Sequence, residues 1–140
     1  NIKFNIDIDR SVLHVTKGLQ FDLFDDINKE LFFNNEFTVS HNSNRMGLRI
    51  TGPKISTKIS KDILTEGLPL GAIQITGSSD SIISFVDHQT TGGYPKIANV
   101  IAADLHKVGQ LKPGDKFIFK LMTLDQAEKL YFQQESSLKI

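Results

Sequence analysis

Strict two-residue alternation of apolar and polar side chains, restarting several times along the chain, limits the fold more than any other feature. Ile2, Phe4, Ile6 and Ile8 alternate with Lys3, Asn5, Asp7 and Asp9. Met46, Leu48 and Ile50 alternate with Arg45, Gly47, Arg49 and Thr51. Phe117, Phe119 and Leu121 alternate after the turn Pro113-Gly114-Asp115. Successive strand residues project to opposite faces, so each run reads as a half-buried strand. Further strands are predicted at residues 12–15, at 36–40 with Phe37 and Val39 on one face, around Ile73 and Ile75, and at 82–86.

Only two segments switch to helical spacing. Phe24, Ile27 and Leu31 recur across residues 22–33, where Asp22, Asp25 and Asp26 put negative charge at a helix N-terminus and Asn34-Asn35 ends the run. Thr123 at the N-cap with Gln126 three residues on makes a capping box for a C-terminal helix. Leu124, Ala127 and Tyr131 share its apolar face, and the residues from about Glu135 are expected to fray. Many short strands, few helices and frequent glycine-containing turns predict a mainly β protein. A closed or partly open barrel is favoured, with a two-sheet sandwich as the alternative.

Composition narrows the function classes. A chain of 140 residues fits one domain, 1–140, with a core that needs no staples. Sixteen basic residues balance sixteen acidic ones, so no electrostatic footprint for nucleic acid or an anionic membrane is present. No apolar run nears the ~20 residues of a membrane span, no secretory leader is recognisable, and a cytoplasmic location is expected. The lack of cysteine removes thiolate catalysis and Cys-based zinc sites. His14, His41, His88 and His106 show no ligand spacing, so no metal site is expected. Walker A, Rossmann and nucleophile-elbow signatures are missing. The chain begins at Asn1 and is expected to be a piece of something longer.

Two places carry residues suited to a ligand. In the strand 45–51 the apolar face must be core, so Arg45 and Arg49 share the outer face with Gly47 between them leaving the surface open. Guanidinium groups bind carboxylate or phosphate in a bidentate manner. By the same period Ile73 and Ile75 point inward and Gln74 outward, and neighbouring strands would join Arg45, Arg49 and Gln74 in one patch. The ordinary alternative is solvated charge, each arginine paired with a carboxylate. The second place is Asp87-His88-Gln89-Thr90-Thr91-Gly92-Gly93-Tyr94-Pro95-Lys96-Ile97-Ala98. Gly92 and Gly93 admit positive φ, and successive N–H groups in such a turn form a concave anion site. Gln89, Thr90 and Thr91 add donors and acceptors, while Tyr94 is biased toward extended backbone by Pro95. The alternative is a tight loop held by its own hydrogen bonds. Asp87 and Asp104 each suit a base, an orienting group or an Asx cap.

Taken in order, Arg45-Met46-Gly47-Leu48-Arg49, Gly52-Pro53, Gly71-Ala72-Ile73-Gln74, Asp87, Gln89 through Pro95, Ala103-Asp104-Leu105, Gln110 and Pro113-Gly114-Asp115 resemble one family. It is the carboxyltransferase-type family of KipA, the C subunit of 5-oxoprolinase, allophanate hydrolase subunit 2 and the matching part of urea carboxylase. The resemblance implies a cyclophilin-like β-barrel with one or two peripheral helices, corresponding to the C-terminal half of the family proteins. It implies a share in ATP-dependent opening of 5-oxoproline to glutamate, with a KipI-like subunit, a further 5-oxoprolinase subunit and ATP bound by the complex. Substrate or nucleotide would then meet Arg45, Arg49, Gln74, Gln89, Thr90, Thr91, Gly92, Gly93 and Tyr94, with Asp87 as the candidate catalytic residue. Two alternatives stay open: the carboxyltransferase part of a urea carboxylase that uses a biotin carrier, and a non-enzymatic KipA-type regulator that binds a KipI-like kinase inhibitor. Asn44 stands where the family often has Asp, residues 76–81 lack its usual prolines, and His88 stands where Arg is frequent. These departures leave the substrate open.

Overall fold

The computed structural model describes residues 11–43, 47–57, 70–84 and 94–138, with side chains described through residue 136. The strand expected at residues 2–8 lies outside them. Among the described residues seven strands are formed: β1 (Val12–Lys17), β2 (Phe37–Val39), β3 (Gly47–Thr51), β4 (Ala72–Ile75), β5 (Ser81–Ser84), β6 (Lys96–Val100) and β7 (Lys116–Leu121). They close into a barrel in the order β1-β6-β4-β5-β3-β2-β7. The closing pair is the one parallel pairing described, with Val12 opposite Ile118 and Val15 opposite Leu121. Closure leaves none of these strands with an unpaired edge, which decides between barrel and sandwich.

The alternation seen in the sequence becomes the wall of this barrel. Leu13, Val15, Phe37, Val39, Leu48, Ile50, Ile73, Ile75, Phe117 and Phe119 are all buried and form the core. Leu121 departs from its expected inward place and is half-exposed, because β7 ends there and the chain turns off toward the last helix. Aromatic rings fill the centre: Phe117 and Phe119 meet edge to face at 5.2 Å, and Phe37 packs on both.

Among the described residues there are three α-helices. The helix expected over 22–33 is divided. Phe21–Leu23 forms a 3-10 turn, Phe24 is extended, and α1 runs Asp26–Phe33. Asp25 causes the restart by accepting the Asn28 N–H at 2.9 Å as N-cap. The break re-phases the buried face. Ile27 is 71% exposed, whereas Phe32 is fully buried and stacks on Phe119 with ring centroids 4.4 Å apart. α2 (Leu105–Gln110) follows a 3-10 turn at Ala102–Asp104 and carries no periodic signal in the sequence. α3 (Leu124–Leu138) opens on the capping box: Gln126 N–H donates to Thr123 Oγ1 at 3.1 Å, and Thr123 N–H donates to Gln126 Oε1 at 3.0 Å. It does not fray at Glu135 but continues to Leu138, tied down by Gln134 Nε2 donating to the Ala103 carbonyl at 3.0 Å. No helix among the described residues is long and apolar enough to cross a membrane.

Candidate functional site

The strand order corrects one expectation. β3 and β4 are not neighbours, since β5 lies between them. Register restores the shared face. Arg49 stands opposite Ile82, Ile82 opposite Gln74, and Gln74 opposite Lys96. Directly opposed residues project to the same side of a sheet. Leu48, Ile50, Ile73, Ile75 and Ile83 face the core, so the four opposed residues form one row across the outside of β3, β5, β4 and β6. At about 4.8 Å per strand, the backbones of Arg49 and Lys96 are about 14 Å apart along the wall. Gly47 does not leave this surface open. A Cβ there would lie 2.9 Å from Ile82 Cγ2, so the glycine makes room for the isoleucine between Arg49 and Gln74.

Exposure falls steeply along the row. Arg49 is exposed, Ile82 is half-buried, Gln74 is 8% exposed and Lys96 only 1%. Among the described residues no carboxylate pairs with the Arg49 guanidinium. Its backbone N–H is taken by Ser43 Oγ at 2.9 Å, which fixes the strand and leaves the side chain to solvent. Gln74 Oε1 and Lys96 Nζ are buried and have no hydrogen-bond partner among the described residues.

Lys96 reaches the outer face through a bulge. Ile73 pairs with Ala98 and Gln74 with Lys96, so one step along β4 matches two along β6 and Ile97 is the extra residue. Without it Lys96 would share the inward parity of Ala98. With it, Ile97 and Ala98 both enter the core and Lys96 faces outward beside Gln74. The segment before α1 braces the bulge. Lys96 N–H donates to Gln20 Oε1 at 2.8 Å, Gln20 N–H to the Lys96 carbonyl at 3.0 Å, and Gly18 N–H to the Ile97 carbonyl at 2.9 Å. The approach is so close that a Cβ on Gly18 would sit 2.4 Å from the Lys96 oxygen.

Tyr94, two residues before Lys96, is part of a polar cleft of about 320 Å³ at the end of the barrel, with Ser56, Thr57, Thr76, Ser79 and Pro95. The Ile75 N–H donates to the Pro95 carbonyl at 3.0 Å and joins the cleft to the start of β6. Arg45, Asp87, Gln89, Thr90, Thr91, Gly92 and Gly93 lie outside the described residues. Asp104 is neither an Asx cap nor an accessible base. It is buried, it makes no side-chain cap to α2, and its Oδ2 accepts the His14 backbone N–H at 2.7 Å with His14 Nδ1 at 2.8 Å. Lys107 Nζ lies 3.4 Å from Oδ1 and donates to the Val12 carbonyl at 3.1 Å, so this cluster fastens α2 to β1.

The family model for the carboxyltransferase domain, subdomain A and B, matches residues 3–121. The chain belongs to this family. It is 36% identical over 126 residues to the C subunit of the Haemophilus influenzae 5-oxoprolinase, a match that covers 90% of this chain and 41% of that protein. It is 35% identical over 129 residues to the urea amidolyase of Saccharomyces cerevisiae, covering 84% of this chain and 7% of that protein. The crystal structure of the Kluyveromyces lactis urea carboxylase superposes with a TM-score of 0.82 at 34% identity, over 91% of this chain and 12% of that one. The chain therefore spans less than half the length of these carboxyltransferase-domain relatives. Within the family's domain, the row joins Arg49 and Gln74, both assigned to the site from the sequence, with Ile82 and with Lys96, which lies in the 87–98 stretch but was assigned no role. Lys96 had a signal of its own, a lone charge between Pro95 and the apolar run from Ile97.

Proposed function

We propose that this chain forms part of a subunit of an ATP-dependent 5-oxoprolinase, acting with a KipI-like subunit and a further subunit to open 5-oxoproline to glutamate. The observation that carries the reading is the outer-face row, on which Arg49 and Lys96 flank Gln74 in a domain 36% identical to the C subunit of a 5-oxoprolinase. Opening a lactam with ATP presents a substrate carboxylate and phosphoryl oxygens, and both call for cationic and N–H donors aimed at developing charge. The exposed guanidinium of Arg49, with no carboxylate beside it among the described residues, suits a phosphate oxygen of ATP held by the complex. Arg45 with Gly92 and Gly93 is assigned the supply of further donors, Gln74, Gln89, Thr90 and Thr91 the orientation of substrate, and Asp87 the positioning or removal of a proton.

A second reading is supported by the likeness to the K. lactis urea carboxylase: a carboxyltransferase part that takes a carboxylated biotin carrier and a small amide to the same face. The deciding experiment mixes the full-length protein with its partner subunits and measures ADP release and glutamate with and without 5-oxoproline. Stimulated ADP release with matching glutamate is the expected result. No stimulation in an assembled complex overturns the first reading and moves the assay to urea with a biotinyl partner.

A further inference from the structure

Five buried side-chain atoms lack a hydrogen-bond partner among the described residues, and four of them project from one outer face of the barrel. They are Lys96 Nζ, Gln74 Oε1, Ser84 Oγ and Asn99 Oδ1; the fifth, Ser81 Oγ, faces inward between Ile50 and Ile75. Scattered packing faults would not collect on one side. An ammonium removed from water without an acceptor is among the most unfavourable arrangements a fold can hold, and an unmatched amide oxygen adds to it. Such a pair calls for an explanation, and a ligand that completes it supplies one.

We propose that Lys96 and Gln74 form a recognition site for a carboxylate-bearing lactam or amide, in which Lys96 Nζ donates to the carboxylate and Gln74 Oε1 accepts from the adjacent N–H. The inference rests on the 5-oxoprolinase reading and deepens it by assigning the residue that reads the substrate's charge. The two atoms demand opposite chemistry, one an anion and the other a donor. They come from directly opposed residues on neighbouring strands, and a small molecule that carries an anion beside an N–H meets both. In 5-oxoproline the ring N–H and the carboxylate are attached to the same carbon. Urea offers the N–H but no anion and would leave the ammonium unmatched. The bulge at Ile97 has a purpose on this account, because it alone brings Lys96 to the side of Gln74. Exposure falls from Arg49 to Lys96, so the guanidinium stands at the solvent end of the row and the ammonium at its buried end.

The test is a calorimetric titration of the assembled full-length complex with 5-oxoproline, with its neutral carboxamide 5-oxoprolinamide, and with urea. The wild type is expected to prefer the acid over the carboxamide by about tenfold or more, as a charge-assisted hydrogen bond provides. Lys96→Met abolishes the preference and Lys96→Arg keeps a preference for the acid. Gln74→Glu sets a carboxylate opposite the ammonium, and it should raise the thermal midpoint while abolishing the preference; it serves as the test if Lys96→Met does not fold. No preference in the wild type, or a preference that persists in Lys96→Met or Gln74→Glu, overturns the proposal. Glutamate formation is read separately. Acid-selective binding without glutamate sinks the 5-oxoprolinase reading and keeps this one, whereas glutamate formation with equal binding of acid and carboxamide does the reverse.

Discussion

A single oxygen of Asp104 meets His14 twice, taking its backbone N–H at 2.7 Å and standing 2.8 Å from its ring Nδ1. The other oxygen lies 3.4 Å from the buried ammonium of Lys107. Asp104→Ala removes all of this at once from a site where Asp104 and Lys107 are fully buried, and breaking a buried charge cluster from one side costs about 3–5 kcal/mol. Urea denaturation of the variant should show a loss of that order, with Asp104→Asn losing less because its amide oxygen still accepts the His14 N–H. Equal midpoints for wild type and Asp104→Ala would show that α2 is not fastened to β1 in this way.

Arg49 is the opposite case. Its side chain is exposed while its flanking residues Leu48 and Ile50 hold the strand in the core. Arg49→Ala should therefore change unfolding free energy by no more than about 0.5 kcal/mol. Its effect belongs to binding: affinity of the assembled complex for ATP should fall and become less sensitive to salt, as expected when an exposed phosphate-binding charge is lost. A variant that binds ATP as the wild type does at low salt would remove Arg49 from the site.

Much of this layout was legible because a barrel wall obeys one local rule. The faces of β2, β3, β4 and most of β7 follow from period two alone, and the Thr123–Gln126 capping box follows from a four-residue motif. What escaped was set by contacts distant in sequence. The break at Phe24 depends on Asp25 capping a new helix and Phe32 finding Phe119, 87 positions away, and no window over 22–33 contains that ring. The candidate site shows the same division. Arg49 and Gln74 were placed on the outer face correctly, but the intervening β5 and the bulge that turns Lys96 to them are facts of pairing, visible only once β4 and β6 are in register.

Gly18 controls that register from outside the sheet. Its α-carbon lies against the Lys96 carbonyl and the Ala98 nitrogen, both closer than 3 Å to where a Cβ would be, and both are backbone atoms that cannot swing aside. Gly18→Ala must push the Gly18–Gln20 segment away from β6 and weaken the paired bonds between Gln20 and Lys96. A loss of about 1–3 kcal/mol is expected, as for overpacking elsewhere. Amide exchange gives the sharper readout. The Lys96 and Ile97 region should exchange faster in the variant than in the wild type while the Phe117–Phe119 strand keeps its protection; uniform behaviour across both would mean the brace is not local.

The divided first helix gives a paired prediction with an internal control. Ile27, on the face that simple periodicity would bury, is 71% exposed, and Phe32 is fully buried. Phe32 lies parallel to Phe119 at 4.4 Å and also contacts Phe37 at 5.7 Å, so truncating it opens a void in the aromatic centre of the barrel. Phe32→Ala should cost about 3–5 kcal/mol, whereas Ile27→Ala, at a solvent-facing helix position, should change stability by about 0.5 kcal/mol or less. Urea titrations of the two variants beside the wild type measure both. If Ile27→Ala proved the more damaging, the helix would be running unbroken from residue 22 with its other face to the core, and the capping of α1 by Asp25 would be wrong.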